Sequence, residues 1–136
     1  MHTVKMPLRR LLAKNLGEFE TLLKESITSG ARVFVLFTGD ADPATGKSWC
    51  PDCNDSKPLL NATLEEAGGA GEVALVEVPL VRAEYKGNPD HWARKHAAAK
   101  LKAIPTLMRW GAVAKVGELV EGECMDAERV RELIME

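Results

Sequence analysis

The chain has 136 residues, 46 % of them hydrophobic and 28 % charged, with a net charge of −2, the size and balance of one soluble globular domain. The slight acidity argues against nucleic acid as the main partner, and no apolar run is long enough to span a membrane. Three cysteines, Cys50, Cys53 and Cys124, are too few and odd in number for a secreted disulfide framework, and a domain of this size buries roughly two-thirds of its unfolded surface without a metal or disulfide staple.

Lys5, Pro7, Arg9, Arg10 and Lys14 break up any apolar signal-peptide core. No acid precedes Glu18, a faint transit-peptide trait, but the segment has few hydroxyl residues. A cytoplasmic protein is therefore expected. In a reducing compartment, closely spaced cysteines point to catalysis or metal binding rather than to a structural bridge.

In chain order, Val4-Lys5-Met6 reads as a short first strand. Asn15 followed by Glu18 resembles a capping box, and Leu16, Phe19, Leu23 and Ile27 then recur at helical spacing until Gly30. Val33–Phe37 is a continuous apolar run rich in β-formers, which suits a central strand buried on both faces. A polar loop from Thr38 to Ser48 follows, broken by Gly39, Pro43 and Gly46. The next helix is predicted to begin at Pro51 and run to about Glu66, kinked at Pro58, with Leu59, Leu60 and Leu64 facing inward.

Gly68-Gly69-Ala70-Gly71 then reads as a turn, and Val73–Val78 as a second buried strand stopped by Pro79. Gly87-Asn88-Pro89 leads into a predicted helix from about Asp90 to Lys100. Thr106–Trp110 and Val113–Val120 read as strands joined by a tight turn at Gly111-Ala112. A last helix starts near Asp126 and buries Val130, Leu133 and Ile134. Alternating strands and helices followed by a hairpin and a helix predict an α/β fold, a central mixed β-sheet flanked by helices on both faces. Residues 1–136 form one domain, with residues 1–14 expected to be partly flexible.

The stretch that carries chemistry is Trp49-Cys50-Pro51-Asp52-Cys53. Two cysteines three positions apart are what a reversible dithiol/disulfide centre needs: one sulfur attacks a foreign disulfide and the other reaches back to release the mixed disulfide. Pro51 suits the first turn of a helix, where its missing N–H is not needed. Cys50 then falls at the helix N-terminus, where the dipole stabilises a thiolate. A CxxC is also a zinc half-site, and His91-x4-His96 offers a second pair. However, 37 residues separate the pairs, against roughly 12–15 in a zinc-finger pattern. On the predicted helix the two histidines lie about 140° apart. No metal site is expected.

The order of elements, with W-C-P-D-C after a buried strand and Ile104-Pro105-Thr106 before a later one, resembles a thioredoxin-like fold. Phe37-Thr38-Gly39, Gly46-Lys47-Ser48-Trp49-Cys50-Pro51-Asp52-Cys53, Pro105-Thr106-Leu107, Val120-Glu121 and Glu123-Cys124 resemble the 14-kDa thioredoxin-related protein (thioredoxin domain-containing protein 17) family over roughly residues 15–135. The resemblance implies a monomeric cytosolic disulfide reductase. No cofactor is bound: the redox centre is the Cys50-Cys53 disulfide, recharged with electrons from NADPH through thioredoxin reductase or an equivalent donor. Small disulfides such as cystine and selected protein disulfides are the implied substrates. Accessory peroxidase activity and regulatory partnerships, a dynein light chain among them, are also implied. The alternative is a non-catalytic redox switch that binds partners.

Within that resemblance Cys50 is the nucleophile and Cys53 the more buried resolving thiol. Asp52 lies between them, favouring the helix start but opposing a Cys50 thiolate. Pro105 is expected to be cis and to face the sulfurs, with the Ile104 backbone pairing with substrate, Thr106 beside it, and Trp49 offering a flat apolar contact. Thioredoxins place a buried aspartate in the central strand as proton acceptor for the resolving thiol, whereas Val33–Phe37 carries no acid, so that acceptor is unassigned. The Gly39–Ser48 loop is longer than thioredoxin's, carries Asp40, Asp42 and Lys47, and is expected to restrict bulky protein disulfides. Cys124 reads as a buried small residue. The span Arg82–Lys102 has six basic and two acidic residues and reads as a solvated face.

Overall fold

In the computed structural model, which describes residues 8–136, the apolar run Val33–Phe37 lies at the heart of a five-stranded sheet. The strands are β1 (Arg9–Leu12), β2 (Arg32–Gly39), β3 (Val73–Leu80), β4 (Thr106–Trp110) and β5 (Lys115–Val120), in the spatial order β1-β3-β2-β4-β5. β3 runs parallel to both β1 and β2, while β4 is antiparallel to β2 and β5. The helices are α1 (Leu16–Thr28), α2 (Pro51–Ala70), the single turns α3 (Arg82–Tyr85) and α4 (Trp92–Lys95), and α5 (Ala127–Met135).

Alternation along β2 divides the core. Val33, Val35 and Phe37 pack with Val76, Val78 and Leu80 against Phe19 and Leu23 of α1. Phe34 packs on the other face with Leu75 and Leu107 against Leu60 and Leu64 of α2 and Val130 and Ile134 of α5. Each such side chain stabilises the fold by about 1.5–3 kcal/mol, so a strand apolar on both faces clamps both helical layers to one sheet.

The expected strand at Val4–Met6 lies outside the described residues. Within the segment expected to be partly flexible, Arg9–Leu12 forms the edge strand β1, in register with Ala74–Glu77. Asn15 caps α1 by accepting from the Glu18 N–H at 2.9 Å. The reciprocal arm of a capping box is displaced by one residue, since the Glu18 carboxylate accepts from the Lys14 N–H at 2.8 Å. Gly30, at φ 82°, closes that helix.

Several boundaries differ from the sequence-based expectation. α2 runs on through Gly68-Gly69 to Ala70. Arg32 donates to the Ala67 carbonyl at 2.8 Å, satisfying a group a helix end leaves open. At Gly68 a Cβ would lie 3.0 Å from the Leu8 backbone nitrogen, so a glycine inside the helix lets the entering chain pack against it. β3 passes through Pro79 to Leu80. The Glu77 carbonyl accepts from Ala13, so residues 77 and 79 direct their backbone toward β1, which has already ended at Leu12. The missing Pro79 N–H therefore breaks no ladder bond.

The expected helix over Asp90–Lys100 shrinks to α4. His96 Nδ1 accepts from Ala98 and Ala99 at 3.2 and 3.0 Å, taking backbone donors the next turn would need. Lys100 turns the chain at φ 45°, overriding the helix propensity of Ala97–Ala99. His91 and His96 consequently flank α4 as its N- and C-cap residues and are not five positions apart along one helix. β5 begins at Lys115 rather than Val113, and Val113 stands 97 % exposed at the hairpin tip. Leu59 and Leu133 are half-buried rather than buried.

Candidate active site

The loop between β2 and α2 is built as a small closed hairpin. Ala41 and Ser48 form an antiparallel bridge, Asp42 N–H donates to the Lys47 carbonyl at 2.9 Å, and the Asp42 carboxylate accepts from Ala44 N–H at 2.8 Å. Gly46, at φ 73°, completes the turn. The polar residues Gly39–Ser48 thus return the chain beside the point where it left the sheet.

Ser48 and Asn54 then fix the entry to α2. Ser48 N–H donates to Asn54 Oδ1 at 2.9 Å, and Asn54 Nδ2 donates to the Ser48 carbonyl at 2.9 Å. The Ser48 hydroxyl donates to the Gly39 carbonyl at 2.8 Å and accepts from Cys50 N–H at 3.1 Å. Trp49 Nε1 donates to the Leu80 carbonyl at 2.8 Å. Gly39 is required by space: a Cβ there would lie 2.6 Å from Ser48 Oγ and 2.9 Å from Trp49 Cε2.

This frame presents Cys50 as the N-cap of α2, with Pro51 at the first helical position. Cys50 and Cys53 have Cα atoms 5.2 Å apart and sulfurs at disulfide-bonding distance. Cys53 N–H points at Cys50 Sγ at 3.3 Å, while Cys53 Sγ accepts from Gly39 N–H at 3.4 Å. The two cysteines are 6 % and 5 % exposed, so burial does not rank them as expected. Their surroundings do: Cys50 Sγ lies 4.0 Å from the Ile104 carbonyl, whereas Cys53 Sγ accepts from the Gly39 N–H and Cys53 lines a cavity under α2 that opens to solvent at its rim.

The Ile104–Pro105 peptide bond is cis. Ile104 is half-buried and Pro105 buried, and the Pro105 carbonyl accepts from Glu121 N–H at 2.7 Å. Thr106 is 1 % exposed and donates its hydroxyl to the Ala103 carbonyl at 2.6 Å, so its side chain braces the loop rather than facing outward. Trp49 is half-buried with its N–H committed. Asp52 is half-buried in the first turn of α2. Cys124 is fully buried in a 3₁₀ turn (Glu121–Met125), its Sγ 3.4 Å from the Leu119 carbonyl and 3.7 Å from that of Pro105. Burial pushes its thiol up to about 11, leaving it protonated and inert at neutral pH.

The cavity beside Cys53 measures about 530 Å³ and lies between α2, the ends of the parallel strands and the hairpin loop; Asp40, Asn54, Lys57 and Glu77 contribute to its walls. The roles of Ser48 and Asn54 emerge only in the folded chain. Their signal was present but weak: two polar residues bracketing a CxxC, one of them an asparagine inside a first helical turn, where it is a poor helix former.

A protein-family model described as "Thioredoxin domain-containing protein 17-like, thioredoxin domain" matches residues 12–136. The chain is 40 % identical over 104 residues to thioredoxin-like protein Clot of Arabidopsis thaliana, covering 71 % of this chain and 72 % of that protein. It is 34 % identical over 108 residues to thioredoxin domain-containing protein 17 of Homo sapiens, covering 79 % and 81 %. A third match, 37 % over 90 residues and 64 % of this chain, is acireductone dioxygenase of Leishmania braziliensis, of whose length the chain spans 26 %. Among solved structures, oxidised thioredoxin O1 of Arabidopsis thaliana superimposes with a TM-score of 0.61 at 18 % identity, over 94 % of this chain and 99 % of that one, which establishes the fold. With a close cysteine pair at the start of α2, this thioredoxin-like domain carries the equipment of a thiol–disulfide oxidoreductase, and the chain belongs to the thioredoxin domain-containing protein 17-like family.

Proposed function

We propose that this domain is a disulfide reductase in which Cys50 is the nucleophile and Cys53 the resolving thiol. The observation that carries the reading is the placement of Cys50 at the N-terminus of α2, facing the Ile104–Pro105 segment, while Cys53 faces inward. In the dithiol form, the Cys53 N–H and the positive end of α2 favour negative charge on Cys50 Sγ. The Cys50 thiolate attacks one sulfur of a substrate disulfide, and the other leaves as a thiolate that takes up a proton. Cys53 sulfur then attacks Cys50 sulfur, breaking the mixed disulfide and releasing the second substrate thiol. Two electrons pass from the enzyme dithiol to the substrate, and the Cys50-Cys53 disulfide remains to be reduced.

The reading extends to the cytosol as location, NADPH through thioredoxin reductase or an equivalent donor as electron source, and small disulfides such as cystine with selected protein disulfides as substrates. The hairpin Asp40–Ser48, closed by its own hydrogen bonds, supports a narrow substrate range. Accessory peroxide reduction and a dynein light chain partner belong to the same proposal.

Trapping tests it. Cys53→Ser incubated with disulfide substrates accumulates mixed-disulfide adducts on Cys50, and Cys50→Ser accumulates none. The intact dithiol consumes NADPH catalytically with thioredoxin reductase and cystine. Blank results from both variants sink the mechanism, and a single stoichiometric turnover favours a redox switch instead.

A further inference from the structure

We propose that Glu77 takes up the proton that Cys53 loses when it resolves the mixed disulfide. The inference rests on the reductase reading above and supplies a step that reading leaves open. A resolving thiol must shed its proton as it attacks, because the thiolate is the nucleophile. Cys53 is only 5 % exposed, so its proton needs a defined acceptor, and β2 carries no acid from Arg32 to Gly39.

Strand register brings one from β3. Val76 and Val78 belong to the core facing α1, while Leu75 belongs to the core facing α2, so alternation turns Glu77 toward α2. On that face the residues in register across four strands are Leu12, Glu77, Leu36 and Leu107. A carboxylate in an otherwise all-leucine row is costly unless it is paired and has access to water. Both conditions are met. Arg10 pairs with Glu77 at 3.0 Å, and the Glu77 side chain keeps 32 % exposure. Glu77 and Cys53 both line the 530 Å³ cavity under α2, which is roomy and polar enough for bridging water.

The charged groups around Glu77 come from several elements. Arg10 of β1 pairs with it and also reaches Glu65 of α2 at 3.6 Å and the Asn61 amide oxygen at 3.1 Å. Lys57 of α2, Lys14 after β1 and Asp40 of the hairpin loop line the same cavity. Asp40 is the other carboxylate there, but it lies on the loop, whereas Glu77 is fixed by β3 itself, opposite Leu36 of β2.

In the step, the S–H proton of Cys53 moves through cavity water to the Glu77 carboxylate. The Cys53 sulfur bonds to Cys50 sulfur, the Cys50–substrate S–S bond breaks, and the departing thiolate is protonated from solvent. Glu77 then returns its proton to solvent through its exposed edge. No further oxidant or reductant enters.

The experiment mixes pre-reduced protein with dithiobis(nitrobenzoic acid) in a stopped-flow spectrometer. The first coloured thiolate reports attack by Cys50 and the second reports resolution by Cys53. In the wild type both phases appear; a missing second phase there would defeat the reductase reading itself. Glu77→Gln is expected to leave the first phase unchanged and slow the second by about 100-fold near neutral pH, the low end of general-base contributions. Its residual rate should climb with pH as thiolate forms from hydroxide alone, and Glu77→Asp should recover part of the loss. Arg10→Gln, which removes the ion pair but keeps the carboxylate, should retain most of the wild-type second phase. An unchanged second phase in Glu77→Gln, equal slowing in Arg10→Gln, or slowing confined to Asp40→Asn would each overturn the assignment.

Discussion

Ser48 and Asn54 grip each other by both ends, backbone N–H to side-chain oxygen and side-chain N–H to backbone carbonyl, each at 2.9 Å. The ring they close encircles Trp49, the dithiol and the first turn of α2. It ties the end of the hairpin loop to the first turn of α2 and so holds Cys50 in its N-cap geometry. Asn54→Ala is expected to cost about 1–3 kcal/mol, since both partners at Ser48 lose a hydrogen bond in a half-buried place. Urea unfolding measures it, and a change within error of zero would show that water replaces the clamp.

Gly39 is where three groups of the site crowd one backbone position. Gly39→Ala drives a Cβ into Ser48 Oγ and Trp49 Cε2, so the Ser48–Cys50 contact and the indole seat must both shift. A loss of about 1–3 kcal/mol in stability, together with slower disulfide reduction, is the expected outcome. Wild-type behaviour in both assays would mean that the loop has slack.

Cys124 should be chemically silent. Its thiol is buried and raised to about 11, so alkylation of native reduced protein at neutral pH spares it, and alkylation after unfolding does not. Mass spectrometry of peptides distinguishes the two. Cys124→Ala should cost about 1–2 kcal/mol by leaving a small void while disulfide reduction continues.

His91 gives stability a dependence on mild acid. Burial is the main cause that holds its pKa below the ordinary 6.5, with Arg94 adding to the effect and Glu84 opposing it. The unfolded chain therefore binds the proton more readily than the folded one. The contribution is fully present above about 6.5 and is lost as pH falls through the lower folded value. His91→Asn replaces the Nδ1 that accepts from the Ala93 N–H with an amide oxygen that can cap it but cannot titrate. The unfolding midpoint of the variant should fall less than that of the wild type between about pH 7 and pH 5, and parallel curves would remove His91 as the cause.

The hairpin Asp40–Ser48 is expected to act as a gate for bulky substrates. Replacing it with a short loop that keeps Ser48 should raise the rate on a protein disulfide such as insulin while leaving cystine reduction nearly unchanged. An unaltered ratio of the two rates would show that the loop is structural only.

Local chemistry made much of this molecule legible in advance. Asn15 and Asp126 cap their helices by side chain because a cap acts within three residues. The apolar run at β2 and the C-P-D-C start of α2 are likewise local signals. The expected Asp90–Lys100 helix failed because His96 turns its imidazole back on the chain, a preference that only packing of the neighbouring segments selects. α2 outlasts its expected end for a related reason, since Gly68-Gly69 breaks a helix in isolation and Gly68 serves close packing against Leu8 here.

By itself, then, the sequence determined the dithiol, its place at a helix start, and the alternating order of elements, because each rests on spacing within a few residues. Tertiary structure alone decided what surrounds the dithiol. Ile104 reaches Cys50 from 54 positions away, and Glu77 faces the helix of Cys53 only because β3 pairs with β2 in a register that sets it opposite Leu36. A shift of one residue would turn that carboxylate to the other face. Register is settled by the packing of the whole sheet, and no local pattern states it.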